Sequence, residues 1–338
     1  MKRREFKAVL AAVLLAALPS VFLVTACEGK KATAPGDSQG LEKLPVLKIS
    51  ARDWNYVANS KGWFKPFTDN GTKIELIQGV LGNEVQLFAR GEVHFTQRML
   101  YPYMLFRIQG ADLIAIQAST HPVVGVTSIM VKTESPYQTL DDLRGKKIAS
   151  WRASCPYMVL FELTERKGWQ EGTDWIYVNT REYREALIAG EAEAISWHPS
   201  DNVAALLTTG TAREIAYPDE ESVYINGGGI TVQFTASEFA DKYPNIVRKY
   251  VEIMDSSYEW ILNNTDEAAA IIETITRAPP EVTKLTWERQ IGNWRSERDL
   301  ATIIRETDVM QEWLIEHGDI APDKKADAAS LFDVRFFN

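Results

Sequence analysis

Apolar and polar positions along this chain alternate in a repeating grammar of short strands, each followed by a helix. Residues 46–51 form an apolar run that ends at Arg52-Asp53-Trp54-Asn55-Tyr56, and the pattern predicts a strand. Residues 73–78 predict the next strand, followed by the glycine-containing turn Gly79-Val80-Leu81-Gly82. Val85, Leu87 and Phe88 then sit at helical spacing up to Gly91. Val93-His94-Phe95 predicts a returning strand that ends at Thr96-Gln97-Arg98. The grammar recurs downstream: residues 183–189 predict a helix capped by Gly190, and residues 192–196 a strand ending at Trp197-His198-Pro199. Two similar α/β units are implied. Val247, Tyr250, Val251, Met254, Tyr258 and Ile261 repeat at helical spacing, as do Leu300, Ile303, Ile304, Met310, Trp313 and Leu314 before Gly318. Such stripes read as core.

Between the units, residues 139–157 carry the densest local signals. Thr139 followed by Asp142 reads as an N-cap with an acidic first turn, closed by Gly145. Residues 147–151 predict a buried strand, and Pro156 suits the first position of a helix whose apolar face is Val159, Leu160 and Leu163, ending at Gly168. The loop 151–155 therefore lies at a strand's carboxyl end and a helix's amino end. Open α/β sheets bind ligands there, and free backbone N–H groups favour an anion. Strand-like residues 125–132 and 224–233 flank the second unit. If they cross between lobes as hinges, the C-terminal helices complete a discontinuous first lobe.

The amino terminus reads as an address. Lys2, Arg3 and Arg4 precede the uncharged apolar run 8–24, which leads into Val24-Thr25-Ala26-Cys27. This resembles a lipoprotein signal peptide whose Cys27 becomes lipidated; an ordinary cleaved signal and an uncleaved anchor are the alternatives. Arg3-Arg4-Glu5-Phe6 matches a twin-arginine motif only in part, because Lys7 stands where an apolar residue is usual. Residues 28–45, rich in Lys, Gly, Ser, Ala and Pro, read as a flexible tether. The net charge of −9, with no basic block after the signal, argues against nucleic acid as a partner. Cys27 and Cys155 are the only cysteines, so lipidation of the first leaves no internal disulfide.

Candidate chemistry is that of binding. His94, His121, His198 and His317 lack metal-ligand spacing, Cys155 lacks an evident His partner, and no hydrolase, zinc-protease or phosphate-loop motif occurs. No metal, cofactor or catalytic residue is expected. Trp54, Trp151 and Trp197 each follow a strand and line a cleft, unless they fill core. Arg98 and Arg152 clamp a carboxylate or sulfonate, unless they form salt bridges. Ser154 and the following helix amides hold an anion, cap the helix, or both. Asn55, Gly82, Gln97, Cys155 and Tyr157 complete the candidate set, with His121 and His198 at the cleft edges, where they hydrogen-bond a ligand unless they are satisfied surface histidines. Gly227-Gly-Gly229 supplies flexibility near a hinge.

Four stretches resemble the substrate-binding proteins of nitrate, sulfonate and taurine ABC importers, the NMT1/alkanesulfonate-binding group. They are Leu140-Asp-Asp-Leu-Arg-Gly-Lys-Lys-Ile148, Ala186-Leu-Ile-Ala-Gly-Glu191, Ile195-Ser-Trp-His-Pro199, and residues 239–264 with the helix start Lys242-Tyr-Pro-Asn245. The resemblance implies an α/β, two-lobe periplasmic-binding-protein fold (type II) with hinge strands and a discontinuous first lobe. The expected divisions are a signal at 1–27, a tether at 28–45, lobe 1 at 46–129 plus 228–338, and lobe 2 at 130–227. It also implies an extracytoplasmic, lipid-anchored, monomeric receptor that delivers a small solute to ABC permease and ATPase subunits. Trp151-Arg152 and Cys155-Pro156 replace smaller residues common in the group, which leaves the ligand open: a sulfonate, a carboxylate, or a neutral or cationic molecule. Enzymes share this fold, including thiamin-pyrimidine synthases and menaquinone-pathway lyases, but the synthases' cysteine-rich iron motif is missing here. A sensory lobe would need a DNA-binding or kinase segment, and none accompanies this body.

Overall fold

β1 (Val46–Ser50) and β2 (Lys73–Ile77) pair in parallel, with Val46 opposite Lys73, and helices α1 (Asp53–Ser60) and α2 (Lys65–Asp69) run between them. The computed structural model describes residues 40–118, 127–152, 154–198, 201–219, 221–224, 229–291 and 299–337. The expectations for the signal, Cys27, His121 and the first two glycines of the 227–229 run lie outside these residues, as does most of the tether.

Residues 40–45, expected as the end of that tether, are docked on the body instead. The Glu42 carboxylate accepts the Asn245 and Ile246 N–H groups at 3.0 Å each, capping the start of α9 (Pro244–Asn263). Asn70 and the Gly40 carbonyl add further polar ties, and Leu41 and Leu44 pack on the core. An acidic side chain at a helix N-terminus satisfies orphan donors and complements the dipole, so the segment is held by chemistry that composition alone hides.

A second sheet carries the order β3 (Thr96–Met99), β10 (Thr231–Ala236), β4 (Leu113–Ala118), antiparallel throughout. The strand expected at 93–95 is shifted. Phe95 only bridges Ile49 beside β1, and the ladder begins at Thr96, where the chain changes partner to β10. Likewise the strand expected at 224–233 runs from Thr231 to Ala236, and Tyr224 lies in a helical turn. β10 comes more than a hundred residues after β4 yet lies between β4 and β3.

The third sheet has the order β7 (Ile176–Asn179), β6 (Lys147–Ser150), β8 (Ala194–Trp197), β5 (Ser128–Lys132), β9 (Ala212–Ala216). Thr139 and Asp142 form the expected capping box ahead of β6, on a 3₁₀ turn (Leu140–Leu143). α5 (Cys155–Glu165) starts one residue before the expected Pro156, with Ser154 at the N-cap. α6 (Tyr183–Ala189) ends on Gly190 at φ 77°, a left-handed position that favours glycine.

α9 packs on α1, and its Val247, Tyr250, Val251, Met254, Tyr258 and Ile261 are buried as their spacing predicts. α10 (Thr265–Thr276) and α11 (Pro280–Ile291) follow, then α12 (Leu300–Glu316), which covers the sheet of β3, β10 and β4 through Ile303, Met310 and Leu314. α11 packs on α10, with Trp287 and Ile291 in the core shared with α1 and α9, and its other side reaches α7 (Asp201–Thr208), where Val282 joins the core beneath the third sheet.

Candidate functional site

β1, β2, β6 and β8 all deliver their carboxyl ends to one cavity of about 610 Å³. β1 ends in Arg52, Asp53 and Trp54, and β2 in Gln78 and Leu81; β3 contributes Gln97, Arg98 and Met99 from within its ladder. From the third sheet come Trp151, Ser154, Cys155 and His198, with Tyr183 beside them. Ile275, Thr276, Thr286 and Gln290 of α10 and α11 close the remaining side. The first turns of α1 and α5 thus both open onto the cavity, where unsatisfied helical N–H groups favour negative charge.

The sequence expectations divide on this cavity. Trp54, Gln97, Arg98, Trp151, Ser154, Cys155 and His198 line it. Gly82 sits beside it at φ +84°, its N–H donating to Glu84 Oε2 at 2.8 Å, while the neighbouring Leu81 makes the contact. Asn55 does not line it: the side chain is buried, with Nδ2 donating to the Ser50 carbonyl at 2.9 Å. Trp197 is core, fully buried, with its indole N–H given to Ser128 Oγ. Tyr157 turns away and donates to Asp319 Oδ2 at 3.0 Å.

Arg152 is the consequential correction. Its side chain is 56 % exposed, pairs with Asp319 at 3.6 Å and lies over the Tyr157 ring, outside the cavity lining. Its backbone is tied down on both sides: the N–H donates to Asn179 Oδ1 and the carbonyl accepts from the Tyr101 hydroxyl. Successive residues after a strand point to different sides, so position at a strand end could not tell Trp151 from Arg152.

Arg52, which the sequence reading did not single out, lines the cavity where Arg152 does not. It follows β1 directly, in the same stretch as Trp54, and its guanidinium lies 5.2 Å from the Trp54 ring centroid. Burial pushes its pKa down, the Asp53 carboxylate opposes this, and the Arg98 guanidinium adds to the depression. Two arginines therefore face one space. Arg98 is held by Glu84 at 3.2 Å, a carboxylate only 1 % exposed. Asp53 accepts the Trp287 indole N–H at 2.9 Å.

Two further features define the walls. Trp54 is 2 % exposed, and its Nε1–H has no hydrogen-bond partner among the described residues. A buried donor left unpaired costs about 1–3 kcal/mol. Trp151 carries the Arg181 guanidinium 4.2 Å from its ring centroid. Cys155 is buried, and desolvation pushes its thiol up to about 12, which keeps it protonated.

Residues 54–268, more than half of the chain, match the family described as NMT1/THI5 like. The chain belongs to this family. Solved structures similar to this NMT1/THI5-like chain carry the same two-lobe periplasmic-binding-protein fold. The alkanesulfonate-binding protein SsuA from Xanthomonas axonopodis pv. citri, bound to MOPS, superposes with a TM-score of 0.70 at 18 % identity, covering 86 % of this chain and 98 % of that one. The periplasmic aliphatic sulphonate binding protein SsuA from Escherichia coli gives 0.71 at 16 % identity, covering 86 % and 92 %. No curated protein sequence matches the chain.

Proposed function

We propose that this protein is the extracytoplasmic solute receptor of an ABC importer and that its solute is a small organic anion, a sulfonate or carboxylate with an apolar or aromatic body. The observation that carries the reading is the cavity that Arg52 and Arg98 share with Trp54 and Trp151. Its volume of about 610 Å³ lies in the range of pockets that enclose whole organic ligands, and nitrate or sulfate would leave it mostly water. The sulfonate-binding relatives support the same class. A cationic solute caged by tryptophan is disfavoured, because Trp54 and Trp151 already have guanidinium groups over their rings. An enzyme using Cys155 is disfavoured by the protonated state of its thiol.

The receptor is held to the membrane by lipid on Cys27, works as a monomer, and hands its solute to permease and ATPase subunits. Among the described residues no helix is long and apolar enough to cross a membrane. Labelling with a fatty-acid probe should mark the wild type and not Cys27→Ala; an unlabelled wild type rejects the anchor. The solute class is tested by thermal shift with sulfonates, carboxylates, amines and aromatic acids. A ligand at a hundred times its Kd stabilises the fold by about 2.7 kcal/mol. Stabilisation by amines alone rejects the anion.

A further inference from the structure

We infer that Tyr258 is a positioning residue for the ligand: it holds Gln97 and Trp54 so that the Gln97 amide N–H groups and the Trp54 Nε1–H converge on one acceptor oxygen beside Arg52. The inference rests on the reading of this cavity as an anion site and assigns its innermost subsite.

Tyr258 belongs to α9, is fully buried, and lies behind the cavity wall rather than in it. Its hydroxyl accepts from Gln233 Nε2 at 2.6 Å, so its one proton is directed to Gln97 Oε1 at 3.1 Å. With its oxygen turned inward, Gln97 has its NH₂ left for the cavity that it lines. Gln233 stands opposite Gln97 in the β3–β10 ladder, and its own Oε1 accepts from the Tyr250 hydroxyl at 3.4 Å. Tyr250 shares that proton with Asn55 Oδ1, also at 3.4 Å, and Asn55 is tied to the Ser50 carbonyl. A buried polar chain thus runs from the end of β1 to the cavity face of β3.

The ring of Tyr258 does the second part. It packs 5.3 Å from the Trp54 ring at an angle of 48° and fixes the indole against the cavity. Trp54 Nε1–H is a buried donor without a partner among the described residues, on a side chain that lines this space. Trp54, Gln97 and Arg52 all line that space, and each carries an N–H donor. Oxygen atoms of a sulfonate or carboxylate fit that set, whereas an ammonium or amide N–H meets no acceptor among these three groups.

Bromide is the probe, because it reports an anion subsite without knowledge of the solute. Crystals of the full chain soaked in bromide should show an anomalous peak within hydrogen-bonding reach of Trp54 Nε1 and Gln97 Nε2. In Tyr258→Phe the Gln97 amide is released, and apparent bromide affinity at that point should fall about tenfold, the equivalent of one good hydrogen bond. Gln97→Glu, which keeps shape but replaces donors with a carboxylate, should remove the peak even if the buried Tyr258 variant fails to fold. No peak in the wild type, an undiminished peak in Gln97→Glu, or unchanged bromide affinity in a folded Tyr258→Phe overturns the inference. If organic anions raise the melting temperature while bromide avoids this point, the subsite is wrong and the receptor reading stands. If bromide binds there but no organic anion stabilises the protein, the subsite stands and the receptor reading fails.

Discussion

Arg289 grips Glu214 with two parallel hydrogen bonds, Nη1 to Oε1 at 3.1 Å and Nη2 to Oε2 at 2.9 Å. The pair fastens α11 to β9 and is largely removed from water, with side-chain exposures of 17 % and 8 %. Glu214 also accepts from Ser128 Oγ at 2.6 Å, and Ser128 Oγ in turn accepts the Trp197 indole N–H. The latch is therefore anchored at the centre of the third sheet. Thr286 and Gln290, on either side of Arg289, line the cavity.

Breaking this latch from one side should be expensive. Arg289→Ala leaves the Glu214 carboxylate buried without its main counter-charge, and a loss of about 3 kcal/mol is expected in urea denaturation. Replacing both residues by apolar ones of similar size should cost much less. Small-angle scattering of Arg289→Ala should also show a larger radius of gyration, since the helix that joins the cavity wall to the third sheet is released. A single variant within about 0.5 kcal/mol of the wild type contradicts the latch.

His94 should make stability depend on pH. Its Nδ1 accepts the Lys48 N–H at 3.1 Å and its ring stacks on Phe239, so the neutral ring is the one the fold uses. Burial, then the Lys48 charge, pushes its pKa from the usual 6.5 to about 4. The unfolded chain binds the proton first, so this stability is complete above about pH 6.5 and is lost as pH falls toward 4. Discounted for solvent screening at a half-buried site, the loss is about 1–2 kcal/mol. His94→Gln should flatten the profile over that interval, and an unchanged slope removes His94 as its cause.

Local signals in the sequence were sufficient wherever neighbours in the chain decide the outcome. The Thr139–Asp142 box, the left-handed Gly190 and the stripe from Val247 to Ile261 are all interactions within a few residues. Partner exchange is not local. Phe95 and Thr96 look alike to a periodicity argument, yet one sits beside β1 and the other starts a ladder with a strand 135 positions away. Closure of the cavity by Ile275, Thr286 and Gln290 was invisible for the same reason. Among residues after strand ends the sequence marks neighbourhood and not direction: Trp54 lies on the cavity, Trp197 in the core, and Arg52, outside the expected set, on the cavity as well.

Cys155 should behave as an inert thiol despite lining the cavity. With its pKa near 12, the reactive thiolate is scarce at pH 8. Alkylation by iodoacetamide, followed by mass spectrometry, should be slow in the native protein and rise steeply only where denaturant unfolds it. Rapid modification of the native chain at pH 8 would show a more open and more polar setting than the buried one observed.

The two arginines that differ most from expectation offer the sharpest test of the site. Arg152 is exposed and already paired with Asp319, so Arg152→Ala should change the affinity of an identified organic anion by less than about threefold, within 0.7 kcal/mol. Arg52 lines the cavity beside Trp54 and is poorly solvated, so its charge is little screened there. Arg52→Gln should weaken the same anion at least tenfold, or about 1.4 kcal/mol, by calorimetry. Arg52→Lys retains the charge without the planar fork and should fall between the two. Folding is monitored alongside, because Arg52 also offsets the Asp53 charge. If Arg152→Ala abolishes binding while Arg52→Gln does not, the anion is held at the outer edge of α5 and the cavity floor is not its site.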